Sequence, residues 1–528
     1  MGEIMTTLST RLGSELRFRF SSSAFAADKF DVVDLEGFEA INRPYRFSLT
    51  LVSDDAEIDF NKILQNPATL CIYSPDGTQE VPYHGVIAEF EQMQKVGNYV
   101  YYRAVLVPRL WRLSLYQITE VYLNEQTVPD ILEKVLKGSQ LSSRDYQFSL
   151  TGDYRKRSFV CQYQETHLDF ISRLMEKEGI YYFYDQGTAR DGVDKLLVVD
   201  ALIGHPASTL QVRYRPADEL DTGVFSDTVQ NFVCRQQPLP KRVIAQDFNY
   251  RKAALTLRAE EQVAAEGIGD VMYYGENFRT VAEGQRYAKL RAEGIRCRSR
   301  VFNGESTAVG LRSGYFMALS HHYRNDFNGR YLVTGIHHRG SQAGVLLAGL
   351  KTPFASGERG TNYSNDFVAI PAGTQFRAEL VTPKPSIAGT LNASVDSEGS
   401  GLYAELDEYG QYKIQLPFDF TDKDPNKGSA WVRMATPYSG SDHGMHFPLH
   451  KNAEVLLSFV DGDPDQPVII GAVPNSENRS VVNNSNPAIN QILTKSGNQL
   501  RMNDTQGSPG IVLFSPSANG TIIIGSKS

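Results

Sequence analysis

Short alternations of apolar and polar residues recur along the chain, and helical spacing interrupts them in few places. Leu16-Arg17-Phe18-Arg19-Phe20, Phe30-Asp31-Val32-Val33 and Tyr45-Arg46-Phe47-Ser48-Leu49-Thr50-Leu51 carry the period of two of half-buried strands. Pro75-Asp76-Gly77 marks a turn, and His84-Gly85-Val86-Ile87 leads a further strand pair that ends in residues 99–107. Two helices follow. Thr127 caps the first, over 129–137, with Pro129 in its first turn, Asp130 three residues after the cap and Gly138 at its end. Thr166 caps the second, with Asp169 three residues on and Gly179 closing it. Leu168, Ile171, Leu174 and Met175 make its apolar stripe, and Glu165, Arg173, Glu176 and Lys177 lie off that stripe. Strands return over 240–350, at 247–250, 315–319 and 331–337, around a helix at 280–293 that carries Ala282, Ala288 and Leu290.

A compact β module stands out at 387–475. Tyr412-Lys413-Ile414-Gln415-Leu416 alternates, and strand-like runs follow at 431–435, 454–460 and 468–473. Gly, Pro and Asp punctuate them at 424–428 and 461–467. Five or six short strands in so short a stretch predict a small, partly open barrel of the OB kind. Residues 351–385 read as a linker and 474–487 as a second polar link. The tail holds strand candidates at 498–503, 510–514 and 521–525. Three strands of this length cannot bury a core alone, so a second surface must cover Leu500, Met502, Ile511, Leu513, Ile522 and Ile524.

Composition narrows the class. At 528 residues the chain exceeds a single core, and 41% hydrophobic with 22% charged residues is ordinary for a globular protein. The net charge of −8 argues against a general nucleic-acid binder. Cys71, Cys161, Cys234 and Cys297 lie far apart in sequence, which predicts buried thiols rather than a disulfide framework. The N-terminus shows no secretory h-region, and no apolar run approaches the length of a membrane helix.

Five runs carry a resemblance to one family. Leu406-Asp407-Glu408-Tyr409-Gly410-Gln411-Tyr412-Lys413-Ile414-Gln415-Leu416-Pro417-Phe418-Asp419, then Trp431-Val432-Arg433-Met434-Ala435, then 454–459 with 462–471, match in order the motifs of the VgrG family. These are the spikes of the bacterial type VI secretion system. The run 162–183, from Gln162-Tyr163 through Asp169-Phe170 to Tyr182-Phe183, is similar to the same family, and 494–505 resembles the start of its needle.

The resemblance implies a mainly β fold with a few helices. A phage-hub-like region at 1–350 would hold two related β-barrels near 14–110 and 240–350 and an α/β insert at 111–239. A linker at 351–385, an OB-fold module at 386–475, a link at 476–490 and the start of a trimeric β-helix (β-prism) needle at 491–528 would follow. No residue-level repeat relates the two barrel regions. The short needle and the end on Gly525-Ser526-Lys527-Ser528 suggest a truncated member. The implied function is structural: a homotrimer whose six barrels cap the hexameric haemolysin-coregulated protein (Hcp) tube. Sheath contraction would drive it through a target envelope with its effectors. Baseplate components and a PAAR-repeat tip protein are further implied partners, the latter at an apex this chain is expected to lack. Assembly in the cytoplasm and export without a signal peptide go with that reading, and so does the absence of catalytic, cofactor and metal residues.

Several constellations of polar residues have plain structural roles as their simpler reading. His443, His446 and His450 share one loop, but no cysteine or carboxylate completes a zinc set, so a surface loop is expected. Asp461, Asp463 and Asp465 alternate as in a calcium loop without its glutamate, and read as a turn; Asp419, Asp422 and Asp424 read likewise. Ser441-Asp442-His443 holds triad residue types in mere adjacency. His321-His322 and His337-His338 are strand neighbours that face opposite ways and cannot chelate as pairs. Capping and solvation account for Glu165 and Asp169, and a strand accounts for Tyr181-Tyr182-Phe183-Tyr184. Two alternatives stay beside the spike. A peptidoglycan hydrolase would need a domain that the short link before the needle cannot hold. An OB-type binder of oligosaccharide or single strands would use Phe418, Trp431 and Tyr438, among loops crowded with aspartates.

Overall fold

The computed structural model describes residues 17–216, 228–346, 361–397, 401–419 and 430–525. Asp422, Asp424, the turn at 424–428, and parts of the expected linker and termini lie outside the described residues. The chain divides into two compact units: one of residues up to 118, 125–157 and 164–384, the other of 119–124, 158–163 and 385 onward.

The first unit opens with β1 (Phe18–Ser22), β2 (Asp31–Ala40), β3 (Arg43–Ser53), α1 (Phe60–Gln65), β4 (Pro67–Tyr73), β5 (Glu80–Val96) and β6 (Tyr99–Val107). These strands close into a ring in the order β1-β4-β5-β6-β3-β2, sealed by pairing of β1 with β2. Tyr45, Phe47, Tyr83, Tyr101 and Tyr102 are fully buried. Next come β7 (Gln117–Gln126), α2 (Val128–Gly138), β8 (Tyr146–Ser149), β9 (Arg157–Thr166), α3 (His167–Glu178), β10 (Tyr181–Asp185) and β11 (Lys195–Val199). Thr127 and Asp130 make a reciprocal capping box on α2, and Gly179 ends α3 at φ +73°, where a side chain would be strained. Strands β10, β11 and β8 form a small sheet.

A second ring draws on β12 (Thr209–Tyr214), β13 (Thr228–Gln236), β17 (Arg300–Ser306), β18 (Phe316–Ser320), β19 (Gly329–Ser341) and β20 (Asn362–Pro371). Its order is β19-β18-β12-β13-β17-β20, sealed by β19 with β20. Phe232, Phe302, Phe327, Tyr331 and Phe367 fill it. Between β13 and β17 stand β14 (Arg242–Asp247), β15 (Leu257–Gln262) and β16 (Asp270–Tyr274), a separate sheet packed on α4 (Val281–Arg296); α5 (Ala343–Leu346) follows β19. The strands of this ring span 209–371, so β20 falls in the stretch expected as a linker. Tyr363, Asn365, Phe367 and Ala369 alternate inward there, amid polar neighbours that masked the signal.

With the six strands of each ring numbered in chain order, both rings trace the same circuit: first, fourth, fifth, sixth, third, second. One strand differs in sense, since β12 is parallel to both its neighbours whereas β1 is antiparallel to its own. The two rings are joined by an antiparallel ladder between β2 and β19, from Ala40 with Gly335 to Asp34 with Ser341.

In the second unit, β21 (Leu391–Asp396), β22 (Lys413–Gln415), β23 (Arg433–Met434), β26 (Glu454–Phe459) and β27 (Pro467–Ala472) form a five-stranded sheet in the order β22-β21-β26-β27-β23. A bridge between Tyr412 and Val432, with backbone bonds of 3.0 and 2.8 Å, joins its two ends into a small barrel. Val395, Tyr412, Ile414, Val455, Leu457 and Ile469 fill it, with Val121, Leu123 and Cys161 from the β7–β9 ribbon. The hairpin of β24 (Ser439–Gly440) and β25 (His443–Gly444) stands on its surface. The tail is a four-stranded antiparallel meander of β28 (Ile489–Leu493), β29 (Gln499–Asn503), β30 (Gly510–Ser515) and β31 (Gly520–Gly525).

Candidate assembly site

The register of the meander sorts its side chains. Ile492 pairs with Leu500, Leu500 with Leu513, and Leu513 with Ile522. In the neighbouring row Asn490 pairs with Met502, Met502 with Ile511, and Ile511 with Ile524. Residues two apart share a face, so both rows lie on one side of the sheet. All six side chains named from the sequence fall on that side, together with Ile492, which sequence reading missed because β28 begins inside the expected link. The other side starts polar, with Gln491 against Arg501, and turns apolar at Val512 against Ile523.

This apolar face is open. Ile492 is 42% exposed, Leu513 43%, and Ile522 and Ile524 60% each. Adjacent isoleucines and leucines left this accessible on a sheet are what interaction surfaces look like before assembly. Gly497 and Gly507 turn the chain at φ +86° and +85° and hold the meander in register.

The polar candidates have neighbours of their own in the fold. His446 Nε2 sits 3.0 Å from the Tyr412 hydroxyl, His443 Nδ1 faces the Ser441 carbonyl at 2.6 Å, and the His450 ring meets Tyr403 edge-on. The three imidazoles thus have separate partners, and among the described residues no group of three or more His, Cys, Asp or Glu is placed to hold a metal ion. Asp463 accepts from the Asp465 and Gln466 side of its own turn, at 2.8 and 3.0 Å. Asp465 accepts the Cys161 backbone N–H at 2.8 Å, which fastens the ribbon to the small barrel. Phe418 packs on Tyr163, Lys413 lies 5.2 Å over the Trp431 ring, and Tyr438 is exposed.

In the hub unit, His337 faces outward to Glu36 at 3.0 Å, whereas His338 is fully buried between Tyr363 and Glu39, at 2.8 and 3.2 Å. His321 is exposed at φ +64° and His322 is buried. Tyr181, Tyr182, Phe183 and Tyr184 are interior strand residues. Thr166 caps α3, its hydroxyl oxygen accepting the Asp169 backbone N–H at 3.0 Å. Glu165 departs from the expectation of solvation. It is 8% exposed and holds the buried Arg173 guanidinium at 2.7–3.1 Å, because α3 is enclosed on its polar side as well as its apolar stripe. Cys71, Cys161 and Cys297 are buried free thiols and Cys234 is partly exposed; burial pushes the Cys71 thiol up to about 12.

The family model of the phage tail baseplate hub (GPD) matches residues 38–344, and that of the type VI secretion system/phage-baseplate injector OB domain matches 404–473. The spike protein VgrG5 of Pseudomonas aeruginosa is 33% identical over 85% of the chain. The chain belongs to the phage tail baseplate hub (GPD) family and is related to the VgrG spike proteins. VgrG1b of the same organism is 28% identical over 94% of the chain. The chain spans 56% of the length of VgrG5 and 66% of VgrG1b. It also matches the actin cross-linking toxin VgrG1 of Vibrio cholerae, 28% identical over 82% of the chain and 38% of the toxin. Among solved structures, the E. coli c3393 protein is described as a type VI component with structural similarity to T4 tail proteins gp27 and gp5. It superposes over 86% of this chain and 100% of its own, with a TM-score of 0.62 and 24% identity. A chain of a Francisella PdpA–VgrG complex has a similar fold over 99% of this chain and 90% of its own, with a TM-score of 0.63 and 10% identity.

Proposed function

We propose that the chain is the spike of a type VI secretion system and acts as a homotrimer. The observation that carries this reading is the open apolar face of Ile492, Leu500, Met502, Ile511, Leu513, Ile522 and Ile524 on the tail sheet. Three copies wound about a common axis bury that face against itself and begin the needle. Each copy brings two barrels of one topology, so a trimer carries six similar barrels, which suits the end of a sixfold tube of the Hcp kind. Function on this reading is mechanical and non-enzymatic: the trimer caps the tube, sits among baseplate components and is pushed through an envelope with effectors attached. A PAAR-repeat protein would seat at the far end of a longer needle. Assembly is cytoplasmic and export needs no cleaved leader.

Light scattering on a sizing column across a dilution series tests the trimer. A species of three 58.9 kDa chains that persists on dilution is the expected result. A monomer at every concentration would overturn the reading.

A further inference from the structure

The first ring closes through a residue that belongs to the second. Its seam between β1 and β2 carries one ladder pair, Arg19 with Asp31. The seam of the second ring, by contrast, runs from Tyr331 with Pro371 to Ser341 with Asn362 and slips once, at Thr334. In antiparallel register the next pair of the first seam would be Phe18 with Val32, but a side chain stands between them. Gln342, the residue after β19, is fully buried there. Its Oε1 accepts the backbone N–H groups of Arg17 and Phe18, each at 3.1 Å. Its Nε2 donates to the Phe18 carbonyl at 3.0 Å and to the Val32 carbonyl at 2.6 Å. Its backbone N–H donates to the Val33 carbonyl at 2.9 Å, where β2 slips against β3.

The side-chain amide thus stands in the seam as a peptide group would. A primary amide suits the place because its oxygen receives two donors and its nitrogen serves two acceptors. Other residues of the second ring add to the hold on β1. The Phe18 ring lies against Gly340 of β19, where a Cβ would come within 2.5 Å of it, and its centroid is 6.4 Å from that of Tyr363 on β20. The Arg17 guanidinium lies 5.6 Å over the Tyr363 ring. One edge of β1 is therefore fastened to β4 of its own ring, and the other mainly to residues of the second.

We propose that Gln342 is a latch that makes closure of the first ring conditional on completion of the second. Until β19 and β20 are in place, a single ladder pair holds β1 to β2, and the first ring is an open sheet with those two strands as its edges. An open edge is a template for a strand of another chain, so the latch guards the seam against pairing between copies once the hub is complete. The latch lies within one chain and stands or falls apart from the trimer reading.

Hydrogen exchange read by mass spectrometry on the full chain tests this. Gln342→Leu removes the bonds and leaves the Phe18 N–H and the Phe18 and Val32 carbonyls unmatched. Peptides covering β1 should then exchange about a hundredfold faster, with β13 and β17 unchanged. Gln342→Glu keeps an acceptor but sets a carboxylate against two carbonyls. It should free β1 near neutral pH and reseat it at about pH 5, where the buried carboxyl regains its proton and with it a donor. Phe367→Ala opens a cavity inside the second ring and should speed exchange in β1 while β5 and β6 stay protected. Peptides of β1 that keep wild-type protection in both Gln342→Leu and Phe367→Ala would overturn the latch. So would equal loss across every strand of both rings, or a Gln342→Glu chain as open at about pH 5 as at neutral pH, since either would make Gln342 an ordinary core residue. If Gln342→Leu does not fold, the other two variants decide.

Discussion

Arg157, Arg286 and the Tyr287 hydroxyl converge on Glu178, at the end of α3. The Arg157 bond is 2.5 Å and that of Tyr287 is 2.8 Å, and Glu178 is 4% exposed. Burial alone would raise this carboxyl, but the two guanidinium groups outweigh it and bring it down to about 2. Its ordinary value is ~4.3, so the folded state holds the proton less tightly than the unfolded chain. The stability this supplies is full above the ordinary carboxylate range and is lost as pH falls from there toward 2. Glu178→Gln should lower stability near neutral pH by roughly 3–5 kcal/mol, since it leaves two guanidiniums under-compensated. Denaturation midpoints measured between pH 6 and 3 should fall less steeply for the variant, as the group that links stability to acid is gone; parallel curves would contradict the assignment. Neighbouring Glu176 is buried too, and accepts from Val381 and Thr382 at 2.8–3.1 Å.

At the scale of elements, local signals and tertiary demand part company. The caps of α2 and α3 form where Thr127, Asp130, Thr166 and Gly179 predicted them, because a cap is satisfied within one turn of chain. Strand β20 was hidden, since its inward residues are spaced by Ser364, Asp366 and Val368 and its partners β17 and β19 are distant in sequence. On the proposed trimer reading, the meander is the element on which function depends most. Ile522→Asp with Ile524→Asp places two carboxylates on the face read as the trimer core, where they lack partners and each costs several kcal/mol to bury. The expected outcome is early proteolysis of the tail and faster trimer dissociation, with hub melting unchanged. An unchanged tail would mean that these side chains face solvent in the assembly.

For the whole molecule, a trimer of the proposed kind that winds its tails together must break many contacts at once to come apart. Its persistence is then a matter of rate. Tagged and untagged populations, mixed after assembly, should exchange subunits over hours or longer, as read by pull-down of untagged chain. Exchange within minutes would speak against an interlocked needle.

Several features were legible without coordinates. The motifs at 406–471 and 162–183 point to the family, the alternation at 412–416 and 454–459 marks the small barrel, and six of the seven apolar residues on the open face of the tail were already conspicuous. These depend on local order: period, caps, turns and motif spacing lie within a few residues of each other. Strand adjacency does not. That β2 meets β19 some three hundred residues later and that both rings follow one circuit without a repeated sequence are outcomes of long-range pairing. Backbone hydrogen bonds carry no residue identity, so many sequences satisfy one ladder, and only the folded chain decides which strands share it.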